Sequence, residues 1–188
     1  MTSEPMRDRR PTLDPDLAAV RAAQRDREAF GALYRRYLDR VYGYCFYLLG
    51  DHHDAEDATE RTFLAALGAI GRYRDEGATF RAWLFRIAHN QIANTLRARG
   101  RQRTTSLDSV REPATDDDPA GVVGLAEDGR RLRRALDGLA EDRRQVVVLR
   151  FVDGLSAREI GAVLDRSEGA VRVLQHRALR QLAEALEG

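Results

Sequence analysis

Residues 156–182 read SAREIGAVLDRSEGAVRVLQHRALRQL, and this stretch decides the fold. Ser156 followed three residues later by Glu159 is a capping box, in which each side chain satisfies a backbone N–H that the first helical turn leaves open. Gly154 just before it suits the end of a preceding helix. Ile160, Val163 and Leu164 form the inward face of the short helix that follows. Asp165 and Arg166 make a tight turn, and Ser167 is placed to cap a second helix reaching about Leu186. On that helix Val171, Leu174, Ala178 and Leu182 share one side, while projection at about 100° per residue puts Gly169, Arg172, Val173, His176 and Arg180 opposite. A short helix, a tight turn and a second helix with a polar, basic outer face make a helix-turn-helix, whose second helix enters the major groove of DNA. Gly169 admits a close backbone approach, and the amides at that helix start suit a phosphate. The alternative is an ordinary helical hairpin; capping box, turn length and basic outer face together favour the DNA-binding unit.

Upstream of this unit the chain also reads as helix. Residues 1–13 are polar, proline-bearing and aperiodic, and read as a disordered tail. Asp14 and Pro15 suit a helix start. A long helix is expected from about Asp26 to Leu49, with Phe30, Leu33, Tyr34, Tyr37, Leu38, Val41, Tyr42, Cys45, Leu48 and Leu49 at three/four spacing and Gly50 as its stop. A second starts near Asp51 and carries Thr59, Phe63, Ala66, Leu67 and Ile70 on one side. After a loop from Arg72 to Ala78, Thr79 caps a third, with Phe80, Trp83, Leu84, Ile87, Ala88, Ile92 and Leu96 inward. Residues 104–124 hold Pro113, Pro119, Gly121 and the acidic run Asp116 to Asp118, and read as a linker. Strand-like alternation is missing throughout. The fold class is therefore all-α: an N-terminal helical bundle over 14–103 and a C-terminal helix-turn-helix bundle over 125–188, joined by a flexible tether.

Composition narrows the function. The 188 residues carry a net charge of only +1, so a nucleic-acid surface must come from segregated charge. All 31 basic residues are arginine, a planar fork for phosphates and guanine edges, although codon usage accounts for the bias as readily. The single cysteine, Cys45, falls on an apolar helix face and reads as a buried structural thiol, with redox sensing as the alternative. Neither a secretory leader nor a run of membrane-spanning length is visible, so a cytoplasmic protein without membrane insertion is expected. His52, His53, Asp54 and Asp57 invite a metal-dependent phosphohydrolase reading, but the other histidines are only His89 and His176, and His176 sits on the proposed DNA helix. No phosphate-cradling glycine motif occurs either. No metal, no cofactor and no catalytic site is expected.

Three stretches together resemble one family. Asp54 to Phe63, Phe80 to Asn90 followed by Asn94 and Arg97, and Leu139 to Leu182 are similar, in this order, to the three signature segments of the extracytoplasmic-function (ECF) sigma factors. These are small bacterial initiation factors of the sigma-70 family. The likeness covers about Asp26 to Leu186 apart from the linker. Glu60 and Ala58 depart from the family's usual Gln and bulkier apolar residue, and Asn94 from its usual Asp.

The resemblance implies a division of labour. Asp54, Glu56, Asp57, Glu60 and Phe63 would bind the clamp helices of the largest polymerase subunit, although an acidic run is in general a solvated face. Tyr73, Arg74, Phe80, Trp83, Asn90, Asn94 and Arg97 would recognise and melt the promoter element around −10, with the loop Tyr73–Thr79 receiving a flipped base. Trp83, on the inward stripe, reads equally as core. Arg166, Ser167, Gly169, Arg172, Val173, His176, Arg177 and Arg180 would read the element around −35. The implied partners are RNA polymerase core, including the flap of its second-largest subunit, promoter DNA and an anti-sigma factor. Asp116 to Asp118 would either run through the polymerase cleft as a nucleic-acid mimic or serve as a solvated spacer. The competing reading is a helix-turn-helix regulator of the response-regulator type; the N-terminal half lacks the strand pattern that an α/β receiver needs.

Overall fold

A computed structural model describes residues 14–75, 77–105 and 134–187, and every regular element among them is helical. The N-terminal unit contains α1 (Leu17–Arg25), α2 (Phe30–Leu49), α3 (His52–Ala69) and α4 (Phe80–Thr105). The C-terminal unit begins with a helical turn at 134–137 and continues through α5 (Glu141–Val147), a π-helical turn (Val148–Val152), α6 (Ala157–Leu164) and α7 (Glu168–Glu187). The all-α expectation of two helical bundles holds. The tail over 1–13, the acidic run Asp116 to Asp118 and nearly all of the expected linker lie outside the described residues. Helix α4 runs to Thr105, just past the expected boundary.

Local chemistry sets the helix ends. The Asp26 carboxylate accepts from the Glu28 amide, opening a short 3-10 turn at Arg27–Ala29, so α2 itself starts at Phe30. Gly50 adopts φ 69°, the left-handed conformation that closes α2. Asp51 then caps α3 by accepting from Asp54 N.

Leu33, Tyr37, Val41, Tyr44 and Cys45 of α2 meet Ala55, Ala58, Phe63 and Ala66 of α3 and Phe80, Leu84, Phe85, Ala88 and Ile92 of α4, all buried. The alanines let α3 lie close to its neighbours. The Cys45 thiol is fully enclosed, and burial pushes its pKa up to about 12 against a smaller lowering by Thr59. In the C-terminal unit Val146, Val148, Leu149, Leu155, Ile160, Val163, Val171, Ala178 and Leu182 form the core.

The two units also pack on each other, α6 against α4 and the π-turn against α2. Arg81 and Thr79 both donate to the Glu159 carboxylate, and Arg40 donates to the Asp153 carbonyl. The Asp153 carboxylate is fully buried and accepts no hydrogen bond; its nearest cation, Arg40, stands 4.0 Å away. Burial therefore raises its pKa to about 7, in spite of the pull of Arg40 and Arg81.

Candidate nucleic-acid and protein interfaces

The helix-turn-helix is built as its sequence implies. Both halves of the capping box form: Glu159 N donates to Ser156 Oγ at 3.3 Å, and Ser156 N donates to Glu159 Oε2 at 2.8 Å. Burial alone would raise the Glu159 pKa, but hydrogen bonds from Arg81, Ser156 and Thr79 outweigh it and pull it down to about 2. The turn passes through Asp165 at φ 54°. A side chain at Gly161 would place its Cβ 2.5 Å from the Arg166 carbonyl oxygen, so the tightness of this turn requires glycine there. Ser167 Oγ accepts from Ala170 N at 3.2 Å and caps α7.

On α7 the buried side is Val171, Ala178 and Leu182. Arg166, Ser167, Gly169, Arg172, Val173, His176, Arg177 and Arg180 are all exposed, so the structure brings the whole predicted set to one outer surface. Arg172 leans on Glu168 at 2.6 Å, a solvent-exposed pair that costs little to exchange for another acceptor. Val173, half exposed, offers an apolar contact of the kind thymine methyls take. Arg143 of α5 was missed in the sequence; it shares a recess with Arg177 and Arg180 and donates to Gln181 Oε1 at 2.8 Å. It comes from another helix, so no periodicity could have linked it to α7.

The α4 surface needs two corrections. Phe80 is fully buried, 5.9 Å from the Tyr37 ring, and Tyr73 is buried with its ring 5.9 Å from Phe80 and 5.2 Å from Trp83. Neither ring is open to a base; they form the floor beneath the loop. Trp83 is half-buried against both, combining the two readings that the sequence left open. Arg74, Asn90, Asn94 and Arg97 are exposed, and Arg97 donates to Asn94 Oδ1 at 2.9 Å. His89 is half-buried with Nδ1 3.2 Å from Tyr44 Oη, and burial lowers its pKa.

A groove of about 880 Å³ runs between α2 and α3, lined by Phe30, Tyr34, Leu38, Tyr42, Leu64 and Leu67 and edged by Glu56 and Glu60. Phe63 also lines it, but as floor: it is 5% exposed and packs edge-on to Phe30 and Tyr34, and Leu64, 61% exposed, is the open apolar side chain. The signal for Leu64 was available, because 56, 60 and 64 step four residues at a time along one face. Asp54 is not a free acid either: Arg99 of α4 grips its carboxylate and the Leu49 carbonyl, tying three helices together. Asp57 is half-exposed and pairs with Arg61 at 3.3 Å. Among the described residues no cluster of His, Cys, Asp or Glu could hold a metal ion, and no helix is long and apolar enough to cross a membrane.

Comparison with known proteins adds an independent line. The Sigma-70 region 2 family model matches residues 33–102, and the Sigma-70 region 4 model matches 129–182. The chain is 37% identical over 184 residues to the ECF RNA polymerase sigma factor BldN of Streptomyces coelicolor, covering 95% of this chain and 70% of BldN. It is 38% identical over 181 residues to the ECF RNA polymerase sigma factor SigE of Mycolicibacterium smegmatis, covering 94% and 70% of the two chains. The solved structure of CnrH in complex with the cytosolic domain of CnrY matches with TM-score 0.71 at 26% identity, covering 92% of this chain and 97% of CnrH.

Proposed function

Because the chain belongs to the ECF RNA polymerase sigma factors of the sigma-70 family, and is thus a promoter-recognising initiation factor, we propose that its exposed faces divide the work of initiation among them. The outer face of α7 reads the upstream promoter element: Arg172, Val173 and His176 meet base edges, while Arg166, Ser167, Gly169, Arg177 and Arg180 hold the backbone, with Arg143 added to them. The surface of α4 and the loop before it open the downstream element, Asn90 and Asn94 meeting its upstream edge and the loop taking an unstacked base beside Arg74 and Trp83. The apolar groove of α2 and α3, with Leu64 and Tyr34 as anchors and Glu56 and Glu60 as its charged rim, takes the clamp helices of the polymerase. The C-terminal unit further meets the polymerase flap. An anti-sigma protein is the proposed regulator, a reading that CnrH supports, having been solved with a protein partner. Binding energy carries each of these steps, and none needs a catalytic group.

One observation carries the reading: an unbroken exposed face on α7, mounted on a helix-turn-helix whose cap and turn are both formed. The test is multi-round transcription by core polymerase, with and without this chain, on a pooled library of random-sequence duplexes. The expected result is a set of start sites preceded by two shared sequence blocks at fixed spacing. Start sites no different from core alone would overturn it.

A further inference from the structure

The N-terminal helix α1 lies outside the segment matched by the region 2 family, which begins at residue 33. The hydrogen bonds of this helix and of Asp14, three residues ahead of it, nevertheless converge on the loop that leads into α4. Gln24 Nε2 donates to two carbonyl oxygens, those of Ile70 and Tyr73, each at 3.0 Å. These bonds fix the point where the chain leaves a 3-10 turn (Ile70–Arg72) that follows α3. Asp14, 5% exposed, reaches the other end of the loop: its Oδ2 accepts from Phe80 N, the first amide of α4, at 2.5 Å. Tyr73 Oη lies 3.4 Å from the same oxygen and donates to the Ala78 carbonyl at 3.2 Å, closing the loop across its base.

We propose that Asp14 and Gln24 are positioning residues for base capture, holding both ends of the loop Tyr73–Thr79 so that it meets the unstacked base already shaped. The inference rests on the reading that this loop takes the base. The physical argument is one of ordering. A loop that must be fixed on binding spends part of its contact energy on lost freedom, and a loop whose ends are fixed beforehand does not. A carboxylate beside the first amide of α4 also complements the positive end of that helix. The middle of the loop stays open: Arg74, Asp75 and Gly77 are exposed, and Gly77 adopts φ 86°, which lets the chain reverse between its two clamps. Docking of α1 does not depend on the two clamps. The Asp16 carboxylate accepts from Tyr37 Oη and from Arg36, and Val20 and Ala23 are buried, so α1 has its own anchorage on α2.

The experiment uses the holoenzyme on a promoter recovered from the library selection. Abasic substitutions scanned through the downstream element of a pre-melted template first locate the captured base for the wild type. The Gln24→Ala, Asp14→Leu and doubly substituted holoenzymes are then compared on templates with that base present and absent. The double variant removes both Gln24 bonds and both contacts to Asp14, so the loop must be ordered on binding, and roughly tenfold weaker binding to the template with the base is expected. Affinity for the abasic template should not change, so discrimination collapses. Asp14→Asn, which keeps an acceptor for Phe80 N, should restore most of it. A variant with residues 74–77 exchanged for Gly and Ser serves as the control for the reading beneath. If that control loses discrimination while the double variant keeps it, α1 does not position the loop. If the control also keeps it, the loop is not the capture site and the proposal goes with it. Gln24 is a surface residue, so Gln24→Ala alone, expected at about threefold, keeps the test open should Asp14→Leu fold poorly.

Discussion

Arg81 of α4 and Glu159 of α6 form a two-point ion pair between the two helical units, with Arg81 Nη2 2.9 Å from one carboxylate oxygen and 2.7 Å from the other. The same carboxylate completes the capping box of α6 and accepts from Thr79, so one side chain both starts the helix-turn-helix and joins it to the loop end of α4. Arg81→Ala removes the joint and leaves the cap. Charge-assisted, largely buried bonds of this kind contribute about 2 kcal/mol, so the packed arrangement should lose population. Small-angle scattering should show a larger radius of gyration with unchanged helicity by circular dichroism. An unchanged radius would mean that the pair contributes nothing to holding the units together.

Asp153 makes the same contact pH-dependent. Its carboxyl, at about 7 when packed against 3.8 in solvent, binds a proton more tightly in the packed arrangement than when the units separate. Its contribution is therefore fully present below 3.8 and lost as pH rises through about 7. The groups facing it are the guanidinium groups of Arg40 on α2 and Arg81 on α4, which pull it down, and Tyr44 and Cys45 on α2, both shifted upward out of range. His89, lowered by burial, works in the opposite sense below 6.5, and Glu159, at about 2, does not titrate near neutrality. From about pH 8 to about 6.5 the radius of gyration should thus fall, and Asp153→Asn should flatten the trend. A wild-type radius independent of pH over that range would count against the buried carboxylate.

Two arginines on the same outer face of α7 should behave differently. Arg172→Ala should relax preference at one or two base pairs of the upstream element, at about 1–3 kcal/mol of discrimination. Arg180→Ala should weaken all sequences alike and reduce the salt slope by about one. Competitive binding of a promoter-fragment library at several salt concentrations separates the two. A uniform loss from Arg172→Ala would move that residue from base to backbone.

Adjacent residues on α3 make a sharper contrast still. Leu64→Ala should leave thermal stability within about 0.5 kcal/mol of wild type, because the side chain is exposed, yet weaken binding to core polymerase by more than about 1 kcal/mol. Phe63→Ala should instead destabilise the fold by about 3–5 kcal/mol. Equal core affinity for wild type and Leu64→Ala would remove the groove from the polymerase interface.

These contrasts mark where reading from the sequence stops. Signals that act within a few residues were legible: the Ser156–Glu159 box, the helix stop at Gly50, the helix start near Asp51 and the outer face of α7. Helical periodicity also sorted most of the core. It placed Phe63 and Phe80 on buried stripes, where the structure has them; the family motifs, not the periodicity, had assigned these rings to contacts. Partners far apart in the chain left no trace at all. Asp54 looked like one of a run of surface acids because Arg99 is 45 residues away, and Asp14 looked like a helix start because Phe80 is 66 residues away. The pairing of Glu159 with Arg81 spans 78 residues and two units, and no local pattern encodes it.

The enclosed thiol of Cys45 has a practical consequence for all of these measurements. A thiol with no exposed surface and a pKa pushed up to about 12 is almost entirely protonated at neutral pH, and only the thiolate reacts with maleimides and iodoacetamides. The native chain is therefore silent to thiol-directed labels as long as it stays folded. A single cysteine introduced at an exposed position, such as Leu179 on the outer side of α7 or Leu64 beside the groove, becomes the one addressable handle without any need to remove the natural one. Cys45 itself becomes reactive only when α2 and α3 part, so its modification rate is a built-in clock for opening of the N-terminal core.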